Sequence, residues 1–257
     1  LYSSAASDVY KRQSLDSAQV AALTTDQIAV LDTADLAALT SAAVVGLSSA
    51  QVAVLSSDAF AALGTAALGA LTNAAVAGIT LDQITTLDTA DIVALNTDIA
   101  NLSTDAMATL VSAQLAAFTT AQAAALDSAD VAAIVNTEFG GFGTADLEAL
   151  TSAALSGMTA AQVDTLSTAD VQALGTDIAN MNTAAMASLD SAQVAALTTA
   201  QIAALDSADV AALTNAAVVG LSSAQVAVLS SSAFNALGTG AFCLLYTSPS
   251  PRDAHES

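Results

Sequence analysis

The feature that most constrains this chain is a period of eight residues. From Asp16 it reads DSAQVAAL, TTDQIAVL, DTADLAAL, TSAAVVGL, SSAQVAVL, SSDAFAAL, and the pattern runs on to GTGAF at Phe242. Position eight holds Leu23, Leu31, Leu39, Leu47, Leu55, Leu63, Leu71, Ile79, Leu87 and Leu95, and later Phe118, Phe142, Met158 and Leu237. Position five holds Val20, Ile28, Leu36, Val44, Val52, Phe60, Leu68, Val76 and Ile84, and only Ala123 leaves it small. Two units, NTDIANL (Asn96 to Leu102) and GTDIANM (Gly175 to Met181), are one residue short.

Neither an unbroken helix nor a strand can carry this pattern. Eight residues at about 100° each amount to about 800°, so the apolar pair would turn by roughly 80° per unit and leave no dry face on a straight helix. In a strand, positions five and eight have opposite parity and point to opposite sides of a sheet. Interruption at every unit solves both problems. Position one is Asp, Thr, Ser, Asn or Gly in nearly every unit, the residues that cap helix N-termini. Position four is often Gln, Asp or Glu, which gives a capping-box spacing such as Thr24 to Gln27 or Thr198 to Gln201. Each octad therefore predicts a cap followed by about six helical residues.

Helices that short are marginal alone, since isolated helices under about 12 residues are unstable in water. They must stack on neighbours, and Ala or Gly at positions three, six and seven lets backbones approach. The expected fold is an all-α solenoid of short capped helices, one per octad, whose units contact mainly their neighbours. Long-range identities set the expected coil. Thr80 to Leu110 resembles Thr159 to Leu189, ten units on, and DSAQVAAL at Asp16 returns as VSAQLAAF at Val111, twelve units on, and again at Asp190, twenty-two units on. All three offsets are even, and ten and twenty-two are not multiples of three. Gly at position one (Gly64, Gly143, Gly175, Gly238) and the AAVxGL variants (Gly46, Gly78, Gly220) also keep to alternate units. The parity predicts a coil of two octads, or 16 residues.

The two ends break the octad. SSAASDVYKRQ (Ser3 to Gln13) and CLLYTSPSPRD (Cys243 to Asp253) resemble translated sequencing-library adapters. The domain reading is accordingly 1–13 and 243–257 as adapter-derived, with 14–242 as the repeat array of a longer protein. Every Lys, Arg, His, Cys, Pro and Tyr of the 257 residues lies in those flanks. Of the 24 acidic residues, Asp8, Asp253 and Glu256 lie there too, so 21 carboxylates in the array face no cation. A segment of that charge repels nucleic acid and anionic membrane surfaces. Although 54% of the chain is hydrophobic, a polar residue interrupts at least every eight positions, so no membrane span is expected.

Runs such as LTTAQIAALDSADVAAL (Leu197 to Leu213) resemble the TTAQ[VI]AAL octapeptide arrays of very large bacterial exoproteins, often labelled adhesion or haem-utilisation proteins. The likeness covers essentially all of 14–242. It implies a secreted or cell-surface bacterial protein. Haem binding does not follow, because the array lacks His, Cys and Tyr, and Met107, Met158, Met181 and Met186 fall at apolar positions.

The available chemistry is narrow. Nucleophilic arrangements that rely on His, Cys or Lys are excluded, and no phosphate-binding Gly-rich fingerprint occurs; no enzyme is expected. Carboxylates pair four times as D-[ST]-A-D: Asp32 with Asp35, Asp88 with Asp91, Asp127 with Asp130, and Asp206 with Asp209. One reading is a ladder of oxygen ligands for calcium as the sole cofactor. The favoured reading is a cap followed by a first-turn carboxylate, both suited to the helix dipole, since the pairs lack the spacing and glycine of an EF-hand loop. VNTEFGGF (Val135 to Phe142) is the most deviant octad and reads as a binding kink or as local drift. Two functions remain: a non-catalytic spacer or stalk of an adhesin, or a repetitive surface binding calcium, a lattice such as ice, or glycan. Surface contact or self-association through the repeats is the partner class expected of either.

Overall fold

The computed structural model describes residues 15–240. The stretches 1–13 and 243–257, read above as adapter-derived, lie outside the described residues. The chain divides into two compact units, Leu1–Ala125 with Ala133–Phe142, and Leu126–Ala132 with Gly143–Ser257.

Both units are built in the same way. Almost every octad forms one helix of four to six residues, as in Ser41–Val44, Thr25–Ala29 and Thr199–Ala204, and no strand occurs among the described residues. The expected all-α repeat solenoid is the observed architecture. Caps begin the helices where the sequence places them. Thr24 Oγ1 accepts from the Gln27 N–H, and Gln27 Oε1 accepts from the Thr24 N–H. Thr198 and Gln201 repeat the box. A helix of five or six residues leaves nearly all its end groups without intrahelical partners, so a cap here satisfies a large share of them.

Positions five and eight form the core. In the first unit Val20, Leu36, Val52, Phe60, Ile84 and Ile92 are wholly buried, and in the second Val131, Val163, Val171, Val194 and Ile202 are. The methionines lie in this core: Met107, Met158 and Met186 are fully enclosed and Met181 is buried.

The coil is larger than parity predicts. In the first unit Ser17–Ala21 packs on Ser41–Val44, Thr25–Ala29 on Ser49–Ala53 and Thr33–Ala37 on Ser57–Ala61, each against the third helix onward. In the second, Thr144–Ala149 packs on Thr168–Ala173 and Thr199–Ala204 on Ser223–Val228. Hydrogen bonds between coils span 24 residues at Gln172 to Ala196 and 31 at Gln51 to Val20. The coil therefore takes between three and four octads, and the two-octad, 16-residue coil is corrected.

Glycine at position seven marks the tightest crossing of this coil. A Cβ added at Gly46, Gly78, Gly157 or Gly220 would lie 2.0, 2.2, 1.9 or 2.1 Å from the carbonyl oxygen of Ser17, Ser49, Ser128 or Ser191. In each case the partner is twenty-nine residues earlier. The two seven-residue units form 3-10 helices, Asn96–Asn101 and Gly175–Asn180, entered through positive φ at Asn96 (49°) and Gly175 (57°). A 3-10 helix rises about 2.0 Å per residue against 1.5 Å in an α-helix, so a shorter unit spans a similar slot.

Candidate functional site

Position four carries the most elaborate polar geometry in the array. Gln83 is completely buried. Its Oε1 accepts from the Thr80 N–H at 2.9 Å, while its Nε2 donates to the carbonyls of Val52 at 2.8 Å and Leu55 at 2.9 Å, in the coil beneath. One side chain thus closes its own helix start and ties down positions five and eight of the octad below. Gln51 does the same to Val20 and Leu23, and Gln114 to Ile84 and Leu87. In the second unit Gln193 bonds Val163 and Leu166, Gln201 bonds Val171 and Gly175, and Gln225 bonds Val194 and Leu197. The position-five carbonyls at these helix ends already accept the position-eight N–H of their own octad, as Val52 does from Leu55 and Ile84 from Leu87, and the glutamine fills their second acceptor site. Among the described residues no buried side-chain nitrogen or oxygen lacks a partner.

Sequence reasoning assigned this glutamine only its capping half. The signal for the other half is the substitution pattern: position four is mainly Gln, Asp or Ala, and Ala43, Ala75, Ala106, Ala154 and Ala185 there are buried. A cap-only position would tolerate more variety.

The four aspartate pairs sit in this same frame. Asp88 Oδ1 accepts from the N–H groups of Ala90 (2.8 Å) and Asp91 (3.0 Å), and Asp91 Oδ2 accepts from the Asp88 N–H at 3.3 Å. Asp32 with Asp35, Asp127 with Asp130, and Asp206 with Asp209 repeat the arrangement. Each pair is brought together at one helix start. Among the described residues no three His, Cys, Asp or Glu side chains gather as a metal-binding group. Burial raises the carboxyls of Asp91, Asp130 and Asp209, offset in part by the N–H each accepts from its cap residue, and the cap carboxylate adds repulsion. Burial raises Asp146 likewise, against the N–H of Gly143.

The deviant octad VNTEFGGF has a partner in the chain. Val111 opens the helix Ser112–Leu115 with no side chain that can cap it. Glu138 supplies the acceptor from 26 residues away: its Oε2 takes the Ser112 N–H at 2.6 Å and also the Ser112 hydroxyl. The hydroxyl, then the N–H, of Ser112 holds the Glu138 carboxyl below its ordinary range. Gly141 lets the two octads meet, since a Cβ there would lie 2.6 Å from the Ser112 oxygen. Phe142 fixes the contact, edge to face with Phe118 and Phe139 at 5.4 Å each.

A surface groove of about 340 Å³ in the first unit is lined by Thr85, Asp88, Thr89, Thr109, Val111 and Gln114. The Thr85 and Thr109 hydroxyls donate to the carbonyls of Asp82 and Ala106, and Asp88 is a helix cap. The polar groups of Thr85, Asp88, Thr109 and Gln114 are thus already engaged by the backbone. No helix of the described residues is long and apolar enough to cross a membrane.

A sequence profile described as the ALTTAQ repeat matches residues 28–65, 139–176, 176–207 and 202–239, together more than half of the chain. Comparison with curated proteins finds no match.

Proposed function

Because the chain belongs to the ALTTAQ repeat family, we propose that it is a non-catalytic spacer in a secreted or surface adhesin of bacterial origin. The repeat family and the array of stacked short helices support a structural role. The observation that carries the reading is where the polar side chains are spent. Glutamines, cap hydroxyls and aspartate pairs are engaged in closing helix ends or tying one coil to the next. The residues left outward are largely Ala, Ser, Thr and Asp, a solvated surface that carries most of the array's 21 uncompensated carboxylates, Asp130, Asp146 and Asp209 being buried. The resemblance to arrays of giant exoproteins supplies the adhesin setting.

The test is replacement. In a surface-displayed chain carrying a binding module at its outer end, the array is exchanged for an unrelated α-solenoid of equal length. Adhesion should persist, and halving the array should shorten its reach without changing the module's affinity. Loss of adhesion on the equal-length exchange would overturn the spacer reading in favour of a binding surface. A calcium-dependent melting shift would then point to the aspartate pairs, and thermal hysteresis to the Ser and Thr positions.

A further inference from the structure

We infer that Val111 and Val135, with the groove beside Val111, form a docking strip for a basic, partly apolar peptide segment of another protein. Every other octad from Asp16 to Gly238 opens with Asp, Thr, Ser, Asn or Gly, and only these two open with an apolar residue. The exchange weakens the local structure, because neither valine can make a side-chain cap and an uncapped helix start is less stable. Burial does not offset the loss, since Val111 is 49% exposed and Val135 44%. Residues that break a local rule with no gain inside the fold mark places where the gain lies outside it. A docking role of this kind goes beyond the spacer reading and does not depend on it.

The two exceptions are neighbours in the first unit. Ser112–Leu115 packs on Asn136–Phe139, and the Glu138 contact to Ser112, the approach of Gly141 to Ser112 and the ring pair Phe118 with Phe142 join the same two octads. The valines therefore open two stacked helices. The groove of about 340 Å³ adjoins them, since Val111 lines it together with Leu87, Ala113 and Asp88. The Thr85 and Thr109 hydroxyls and the Gln114 amide on its wall are bonded to backbone carbonyls, so the groove offers a ligand mainly apolar surface and the Asp88 carboxylate. Charge decides the occupant. The array holds 21 carboxylates and no Lys, Arg or His, so an acidic segment and a second copy of the array are both repelled. A Lys or Arg side chain lays an aliphatic stem on apolar surface and carries its charge at the tip, which suits valines beside an aspartate.

Fluorescence anisotropy of a short labelled peptide of alternating leucine and lysine, titrated with the whole chain, tests the strip, with a leucine and glutamate peptide as its counterpart. The parent should bind the basic peptide, more weakly as salt is added, and should not bind the acidic one. Val111→Ser plus Val135→Ser leaves every carboxylate in place and should weaken binding about tenfold, as loss of the apolar contact of two half-exposed valines implies. The same double variant should melt a few degrees higher, because Ser at position one can cap its helix, as Ser48 does by accepting from the Gln51 N–H. Val54→Ser, at an exposed valine elsewhere in the unit, should leave binding unchanged. Equal binding by the parent and the double variant would overturn the strip in favour of general attraction to an acidic surface. No binding by the parent, or a double variant that melts lower, would overturn it as well. Concentration-dependent association of the parent, abolished by the double substitution, would assign the strip to a second copy instead.

Discussion

Gln83→Ala tests the inter-coil tie most directly. The substitution removes one acceptor for the Thr80 N–H and the donor shared by the Val52 and Leu55 carbonyls, all at 2.8 to 2.9 Å. Three hydrogen bonds at about 1 kcal/mol each suggest a loss of about 3 kcal/mol. Water entering the polar gap would recover part of it, and the vacated volume would add to it, so about 2 to 4 kcal/mol is expected. The chain should still fold, because Ala occupies position four natively at Ala75 and Ala106. Gln27→Ala is the matched control. Gln27 is exposed and makes only the capping half of the pattern, so about 1 kcal/mol or less is expected. Gln83→Glu separates shape from donor: at pH 7 its carboxylate would face two carbonyl oxygens, and this variant should be weaker than Gln83→Ala. Acidification should restore it, since a protonated carboxyl donates again. Urea titration with hydrogen exchange across residues 52–55 gives the readout, because unfolding of a repeat array need not be two-state. Equal losses for Gln83→Ala and Gln27→Ala would refute the cross-coil role, and a pH-independent Gln83→Glu variant would refute the donor assignment.

Leu47→Asp or Leu205→Asp should cost several kcal/mol, roughly 3 to 5, by placing an unpaired charge at a side chain now 3% exposed, whereas Ala38→Ser should cost under about 1 kcal/mol; thermal melts of the three would settle the phase of the repeat. Gly78→Ala should be severe, because its Cβ would lie 2.2 Å from the Ser49 oxygen, while Gly64→Ala has open space and bears only the cost of φ at +70°, about 1 to 2 kcal/mol; comparable losses at the two sites would contradict the close crossing. For Asp91, Asp130, Asp146 and Asp209 the folded carboxyl titrates above the ordinary value of 3.8, so the native state holds protons that the unfolded chain gives up. Their contribution is full below that value and is lost as pH rises through the raised folded range. Glu138, lowered from 4.5, opposes them, its contribution being lost as pH falls. Melting between pH 7 and pH 4 should therefore rise for the wild type and rise less for Asp209→Asn; a steady fall on acidification would contradict the burial of the four carboxyls.

The parts of this fold that were legible in the sequence are those decided within one octad. A cap and its acceptor three residues on are local, so Asp16 with Gln19 and Thr198 with Gln201 could be read directly, and the dry positions five and eight followed from geometry alone. The coil size depends instead on which octads meet. Gly46 against Ser17 and Gln51 against Val20 and Leu23 fix that meeting through backbone oxygens, and a backbone carbonyl leaves no residue type behind to be noticed. The partnership of Val111 and Glu138 was hidden for a related reason: each looks like a lapse in its own octad, and only a coil bringing Ser112 beside Glu138 turns two lapses into one hydrogen-bonded contact. The candidate site follows the same division. The aspartate pairs were visible because both members lie on one helix start, and their capping bonds are the local ones that spacing allowed. The glutamine tie was only half visible, since a side chain with one carbonyl and one NH2 can serve its own helix and another coil at once. An octapeptide array can therefore hold its coils together with few large side chains: the amide at position four lets each coil complete the helix ends of the one before it.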